Sequence, residues 1–271
     1  NMSATPEPPK RAQRKDMAEE TQSLIPDIIS TTKAHPRSVL YNELLPRAHP
    51  DPNASKPKVT VCDQDSFTAA KEILERIPSA RVGVLNMASE KDPGGGWLKG
   101  SLAQEEALCL RSTLITTLYK HYYPLSEFGA IWSPEVAVFR DEVNSWCRVY
   151  EDSKIFIVGV VSVAALRCPR LTEDKRYFAH PGDIRVVKDK MRQALRVLVK
   201  NDITHGVLGA LGCGAFKNPT RETARIYKEV LNEPEWKGAF EELVFAVLDT
   251  DTNPRKGECN HSIFKNVFSD A

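Results

Sequence analysis

The chain has no CxxC pair, no clustered histidines and no apolar run long enough to cross a bilayer. Its six cysteines (Cys62, Cys109, Cys147, Cys168, Cys213, Cys259) are scattered, which argues against a disulfide framework and against a zinc site. Net charge is also nearly absent. The 37 basic and 36 acidic residues leave a formal +1, so no global field favours nucleic acid or an anionic membrane. A Walker lysine motif is missing, which excludes the usual phosphoryl-transfer site. The glycines Gly209, Gly212 and Gly214 are spaced GxxGxG and not GxGxxG, which excludes a Rossmann fingerprint. No secretory signal pattern or internal repeat is present. These absences lead us to expect an intracellular protein, cytoplasmic and/or nuclear, with no metal, no cofactor, no membrane partner and no sequence-specific nucleic-acid partner. We expect a monomer.

Hydrophobic content of 41% and charged content of 27% are those of a globular chain, and 271 residues suffice for one α/β domain with a full core. Residues 1–9 are polar and Pro-rich and read as a flexible tail, with Asn1 ahead of Met2 read as an added residue. Residues 10–271 read as a single domain with an N-terminal helical extension. That extension should be a helix from Lys10 to about Lys33, interrupted near Pro26, with its charges on a solvated face. The Pro-rich segment 35–58 reads as a surface connection.

Regular alternation then begins. Strands are expected at 59–62, 81–86, 130–140, 154–163, 205–211 and 243–248, several of them continuously apolar and so buried on both faces. Between them, Asp65 caps a helix with Ala70, Ile73, Leu74 and Ile77 on one face. Ser101 and Gln104 have capping-box spacing ahead of a helix to about Lys120. Asp183 caps a helix carrying Ile184, Val187, Met191, Leu195 and Leu198. Asn218 and Pro219 read as N-cap and N1 of another helix, and Ile263, Phe264, Val267 and Phe268 mark a last one. Alternating strands and helices predict an α/β fold, a mixed sheet with helices on both faces.

Two glycine-rich strand-to-helix turns should therefore meet on one rim, beyond the carboxyl ends of the strands. The first, Gly94-Gly95-Gly96, gives the backbone access to a ligand that a Cβ would block. It is followed by Gln104-Glu105-Glu106. Gln104 can complete the cap or touch substrate. The two acids suit the helix macrodipole, but as neighbours about 100° apart they should divide their labour and not share one atom. A general acid needs its proton, which the helix N-terminus disfavours and burial beside a bound anion favours. The second turn, Gly212-Cys213-Gly214-Ala215-Phe216, can hold an anion on backbone N–H groups, and Phe216 can either stack on a base or pack in the core. Trp97 either closes the pocket or packs beneath the loop.

At these residues the chain resembles the poly(ADP-ribose) glycohydrolase family, in its short bacterial-type branch, also found in fungi. The resemblance rests on three glycines and, after seven intervening residues, Gln104-Glu105-Glu106. It extends through Ala107-Leu108-Cys109-Leu110-Arg111-Ser112, Trp132-Ser133-Pro134, Val138-Phe139-Arg140-Asp141 and Gly209 to Pro219. It implies a macrodomain-like three-layer α/β/α fold holding ADP-ribose, and cleavage of the 1″–2′ ribose–ribose bond of poly(ADP-ribose) to release ADP-ribose. By position, Glu106 matches the catalytic acid and Glu105 the holder of ribose hydroxyls. Gly94, Gly95 and Gly96 match the loop beside distal ribose and diphosphate, and Gly212, Cys213, Gly214, Ala215 and Phe216 the diphosphate loop. Asn86 and Ser89 fall among further polar contacts. Asp92-Pro93 stands where Asn-Pro is commoner. A mono-ADP-ribosyl substrate on protein or nucleic acid, or a reader that binds ADP-ribose without cleaving it, would use the same pocket.

Overall fold

In the computed structural model, which describes residues 7–248 and 259–269, seven strands among the described residues form one mixed sheet. Its spatial order is β1 (Val39–Tyr41), β4 (Ala130–Val138), β5 (Phe156–Val163), β3 (Val82–Met87), β6 (His205–Leu208), β7 (Glu242–Ala246) and β2 (Lys58–Cys62). The five strands from β5 to β2 run parallel, and β4 and β1 add an antiparallel edge. One face packs against α4 (Pro181–Lys200), α5 (Thr220–Leu231) and α6 (Asn260–Ser269), with Leu85, Leu208, Leu243 and Phe245 pointing that way. The other packs against α1 (Arg11–Thr31), α2 (Ser66–Arg76) and α3 (Gln104–Arg111), with Val84, Val207 and Val244 pointing that way. Successive residues of each central strand thus feed opposite cores, which is why these strands read as unbroken apolar runs.

Local chemistry accounts for most element ends. Asp65 caps α2 by accepting from the amides of Phe67 and Thr68. Pro134 sits in β4 where the pairing register with β5 shifts between Ser133 and Val136, so its missing N–H leaves no ladder bond unmade. Pro181 opens α4 at its first position, two residues ahead of Asp183, which lies in the first turn and does not cap the helix.

Several expectations are corrected. The helix after the glycine loop stops at Arg111, well short of Lys120. Ser112 Oγ turns back onto the Leu108 carbonyl, and Thr113 exchanges hydrogen bonds with Ala137, so the chain pairs with the end of β4. Asn218 does not cap α5; its amide donates to the carbonyls of Leu166, Gly212 and Phe216 and pins the loop, and α5 begins at Thr220. Within segment 35–58, residues Val39–Tyr41 form the edge strand β1. Pro26 is accommodated inside a continuous α1. The charges of α1 are also not all solvated: Arg11 Nε donates to the Lys99 carbonyl and Arg14 Nε to the Gly100 carbonyl, each at 3.0 Å. Gly100 has φ +71°, and a Cβ there would lie 2.2 Å from the Arg11 carbonyl oxygen. Residues 1–6 of the expected tail, with Asn1 among them, and residues 249–258 and 270–271 of the expected domain lie outside the described residues. Among the described residues no helix is long and apolar enough to cross a membrane.

Candidate active site

β3, β5 and β6 are parallel neighbours, so the loops that follow them emerge on one rim. Those loops, with the start of α3, enclose a cavity of about 420 Å³, a size typical of small-ligand sites. Gly95, Gly96, Gln104, Glu105 and Glu106 line it from the first loop and α3, Gly212, Gly214, Ala215 and Phe216 from the second loop, and Ser89 lines it as well. The two glycine loops therefore converge as their strand-end positions require.

The first loop is built around Trp97. Its indole is 1% exposed and lies under the loop, so it packs and does not close the pocket. Gly94 and Gly95 have φ of +68° and +56°, values that suit glycine. A Cβ on Gly94 would meet Trp97 Cδ1 at 2.8 Å, and Gly94 sits behind the cavity wall. A Cβ on Gly95 would meet Glu106 Oε1 at 2.7 Å and Glu105 Oε2 at 3.3 Å. The missing side chain of Gly95 is what lets both acids approach the loop.

The two acids stand in unlike surroundings, yet both carboxylates flank that one point above Gly95, contrary to the expectation from helical spacing. Glu105 is 3% exposed. Its Oε1 accepts from Asn86 Nδ2 at 3.2 Å and its Oε2 from the Ser89 amide at 2.7 Å. Burial pushes the Glu105 carboxyl up to about 8, against the hydrogen bonds from Ser89 and Asn86 that lower it; the adjacent Glu106 charge adds to the rise. Glu106 is half-buried and faces the cavity. Its Oε1 accepts from the Gly96 amide at 3.0 Å and its Oε2 from the Ala103 amide at 2.9 Å. The backbone cap of α3 is thus closed by Glu106, with Ala103 as N-cap, and not by Ser101 and Gln104.

Gln104 has a different structural task. Its Oε1 accepts from the Met87 amide at 2.8 Å, and its Nε2 donates to the Leu85 carbonyl at 2.6 Å and to Ser66 Oγ at 3.0 Å. It ties α3 to the end of β3 and the start of α2 while one edge faces the cavity. Asn86 is fully buried, donates to Ser162 Oγ at 2.9 Å as well as to Glu105, and stays behind the cavity wall. Its link to the cavity lining is the hydrogen bond to Glu105. Cys213 packs against the core and does not line the cavity; burial pushes its thiol up to about 12, so it is not a ready thiolate. Phe216 is partly buried against the core and also lines the cavity.

Two cationic side chains of the cavity, Lys99 and Arg167, were not among the expected site residues. Arg167 follows the carboxyl end of β5 by four residues, and the strand-end rule that located the glycine loops would have reached it too.

The chain is similar to known proteins in sequence and in fold. The family model of the microbial-type PARG catalytic domain matches residues 16–141. The structure is similar to poly(ADP-ribose) glycohydrolase from Thermomonospora curvata, with a TM-score of 0.77 and 25% identity over 95% of this chain and 100% of that one. The same enzyme bound to the inhibitor ADP-HPD gives 0.76 and 24% at the same coverage. Poly(ADP-ribose) glycohydrolase from Deinococcus radiodurans in complex with ADP-ribose gives 0.67 and 25%, over 97% of this chain and 94% of that one. The fold is the macrodomain-like α/β fold of these structures. No curated protein sequence matches the chain.

Proposed function

We propose that the chain is a member of the microbial-type poly(ADP-ribose) glycohydrolase family, and that it hydrolyses the 1″–2′ ribose–ribose bond of poly(ADP-ribose) with Glu106 as general acid and base. The observation that carries this reading is the pair of carboxyls flanking Gly95 in unlike surroundings. Glu105, buried and held by Asn86 and Ser89, is fixed in place to orient the ribose hydroxyls. Glu106 faces the cavity and is the member within reach of both substrate and water.

In the first step the C1″–O2′ bond breaks, its electron pair goes to the departing ribose oxygen, and that oxygen takes the proton of Glu106. The sugar left behind is oxocarbenium-like. Water then attacks C1″ and surrenders a proton to the Glu106 carboxylate, which restores the acid and yields free ADP-ribose. One carboxyl serves both half-reactions, unlike glycosidases that divide acid and base between two separated groups. The diphosphate lies along Gly212–Phe216 and the adenine toward Phe216.

The test is ADP-ribose release from purified polymer by wild type and by Glu106→Ala. We expect the variant to lose about 10²–10⁴-fold in kcat, the scale of general acid–base catalysis, with its fold intact. Equal rates would remove Glu106 from this role. A panel of polymer, mono-ADP-ribosylated protein and mono-ADP-ribosylated nucleic acid identifies the leaving group. ADP-ribose binding with no turnover on any of them would make the protein a reader.

A further inference from the structure

Arg167 connects all three loops of the cavity rim. Its guanidinium forks onto Glu90, in the loop after β3, with Nη2 donating to Oε2 at 2.8 Å and Nε to Oε1. The same guanidinium lies 4.2 Å from the centre of the Phe216 ring, in the loop after β6. Its own backbone is fixed on both sides: Leu166 accepts from the Asn218 amide at 2.7 Å, and the Cys168 amide donates to the Phe216 carbonyl at 2.9 Å. The side chain, 43% exposed, is the part free to move.

This arrangement is closed against the ligand assigned above. The face of Phe216 that a base would use is covered by the guanidinium, and the guanidinium is neutralised by Glu90. An exposed ion pair is weak, however, and phosphate oxygens offer the same fork of acceptors as a carboxylate. Arg167 lines the cavity beside Gly212, Gly214 and Ala215, whereas Glu90 does not line it. A diphosphate on that loop would therefore compete with Glu90 for the Arg167 guanidinium.

We propose that Arg167 is a movable diphosphate ligand, held off the site by Glu90 in the free protein and captured by the diphosphate of ADP-ribose, a transfer that uncovers Phe216 for the base. The proposal rests on the ADP-ribose reading of the cavity. It makes Glu90 an internal competitor of the substrate, so the two halves of one ion pair should act on binding with opposite signs.

The experiment is calorimetric titration of wild type, Arg167→Ala and Glu90→Gln with ADP-ribose and, separately, with adenosine. Arg167→Ala is expected to weaken ADP-ribose by about tenfold or more, as for loss of a charged hydrogen bond, while adenosine binds at least as well as to wild type. Glu90→Gln is expected to tighten ADP-ribose. The proposal is overturned if Arg167→Ala leaves ADP-ribose affinity unchanged. It is equally overturned if Glu90→Gln weakens binding as Arg167→Ala does, because the pair would then be a structural brace. Failure of wild type to bind ADP-ribose would overturn the functional reading along with this one. Tight wild-type binding with polymer turnover, and variants that behave otherwise than expected, would overturn this inference alone.

Discussion

Glu105 and Glu106 are consecutive in the chain, and their carboxylates nevertheless flank a single point, the place where Gly95 has no Cβ. The loop glycine and the two acids form one device, in which the backbone gives up a side chain so that two carboxyls can stand over it.

Replacing that hydrogen by a methyl group should affect catalysis more than folding. In Gly95→Ala the new carbon would press on Glu106 Oε1, the far end of a side chain that can swing aside, and φ of +56° adds about 1–2 kcal/mol of backbone strain. We expect a modest fall in melting temperature and a loss of roughly a hundredfold in kcat, as for a displaced catalytic group. Thermal melting beside polymer hydrolysis checks this. Wild-type activity in Gly95→Ala would show that the position of the carboxylates is not critical.

The raised pKa of Glu105 has a defined consequence for stability. A carboxyl that titrates near 8 when folded and near 4.3 when unfolded binds more protons in the native state across that window. Its contribution to stability is full below the unfolded value and is lost as pH rises towards 8. Urea unfolding of wild type and Glu105→Gln from pH 5 to pH 8 should show a steeper decline in wild type, with the two curves diverging as pH rises. Parallel curves would mean that Glu105 ionises at an ordinary value.

Gln104 separates a structural from a binding role. Its three hydrogen bonds to Met87, Leu85 and Ser66 predict that Gln104→Ala costs about 1–3 kcal/mol in denaturant unfolding, with ADP-ribose affinity changed only slightly. The reverse outcome, an unchanged midpoint with a large loss of affinity, would assign the amide to the ligand.

The parallel strands were legible in the sequence because both of their faces are buried: Val82–Leu85 and Phe156–Val163 carry apolar residues at nearly every position. The glycine loops were legible because a strand ran into each and a helix followed. The length of α3 was not, since Leu114 and Leu118 continue its spacing while the Ser112–Thr113 pair is drawn to β4, about 25 residues ahead. Tertiary pairing outweighed local periodicity there. Arg167 was hidden for a related reason. Its partners Glu90 and Phe216 are 77 and 49 positions away, and no local pattern joins them. The unlike surroundings of Glu105 and Glu106 were not legible, because Asn86 and Ser89 reach Glu105 only through the fold.

The grip of α1 on the glycine loop bears on where a minimal catalytic fragment can begin. The matched family segment starts at residue 16, whereas the guanidinium groups that hold Lys99 and Gly100 belong to Arg11 and Arg14. A gene trimmed to Asp16 would still encode every residue that lines the cavity. It would lack both donors on the carbonyl side of the turn that delivers the Gly96 amide to Glu106, so such a fragment would retain the parts of the site without their alignment.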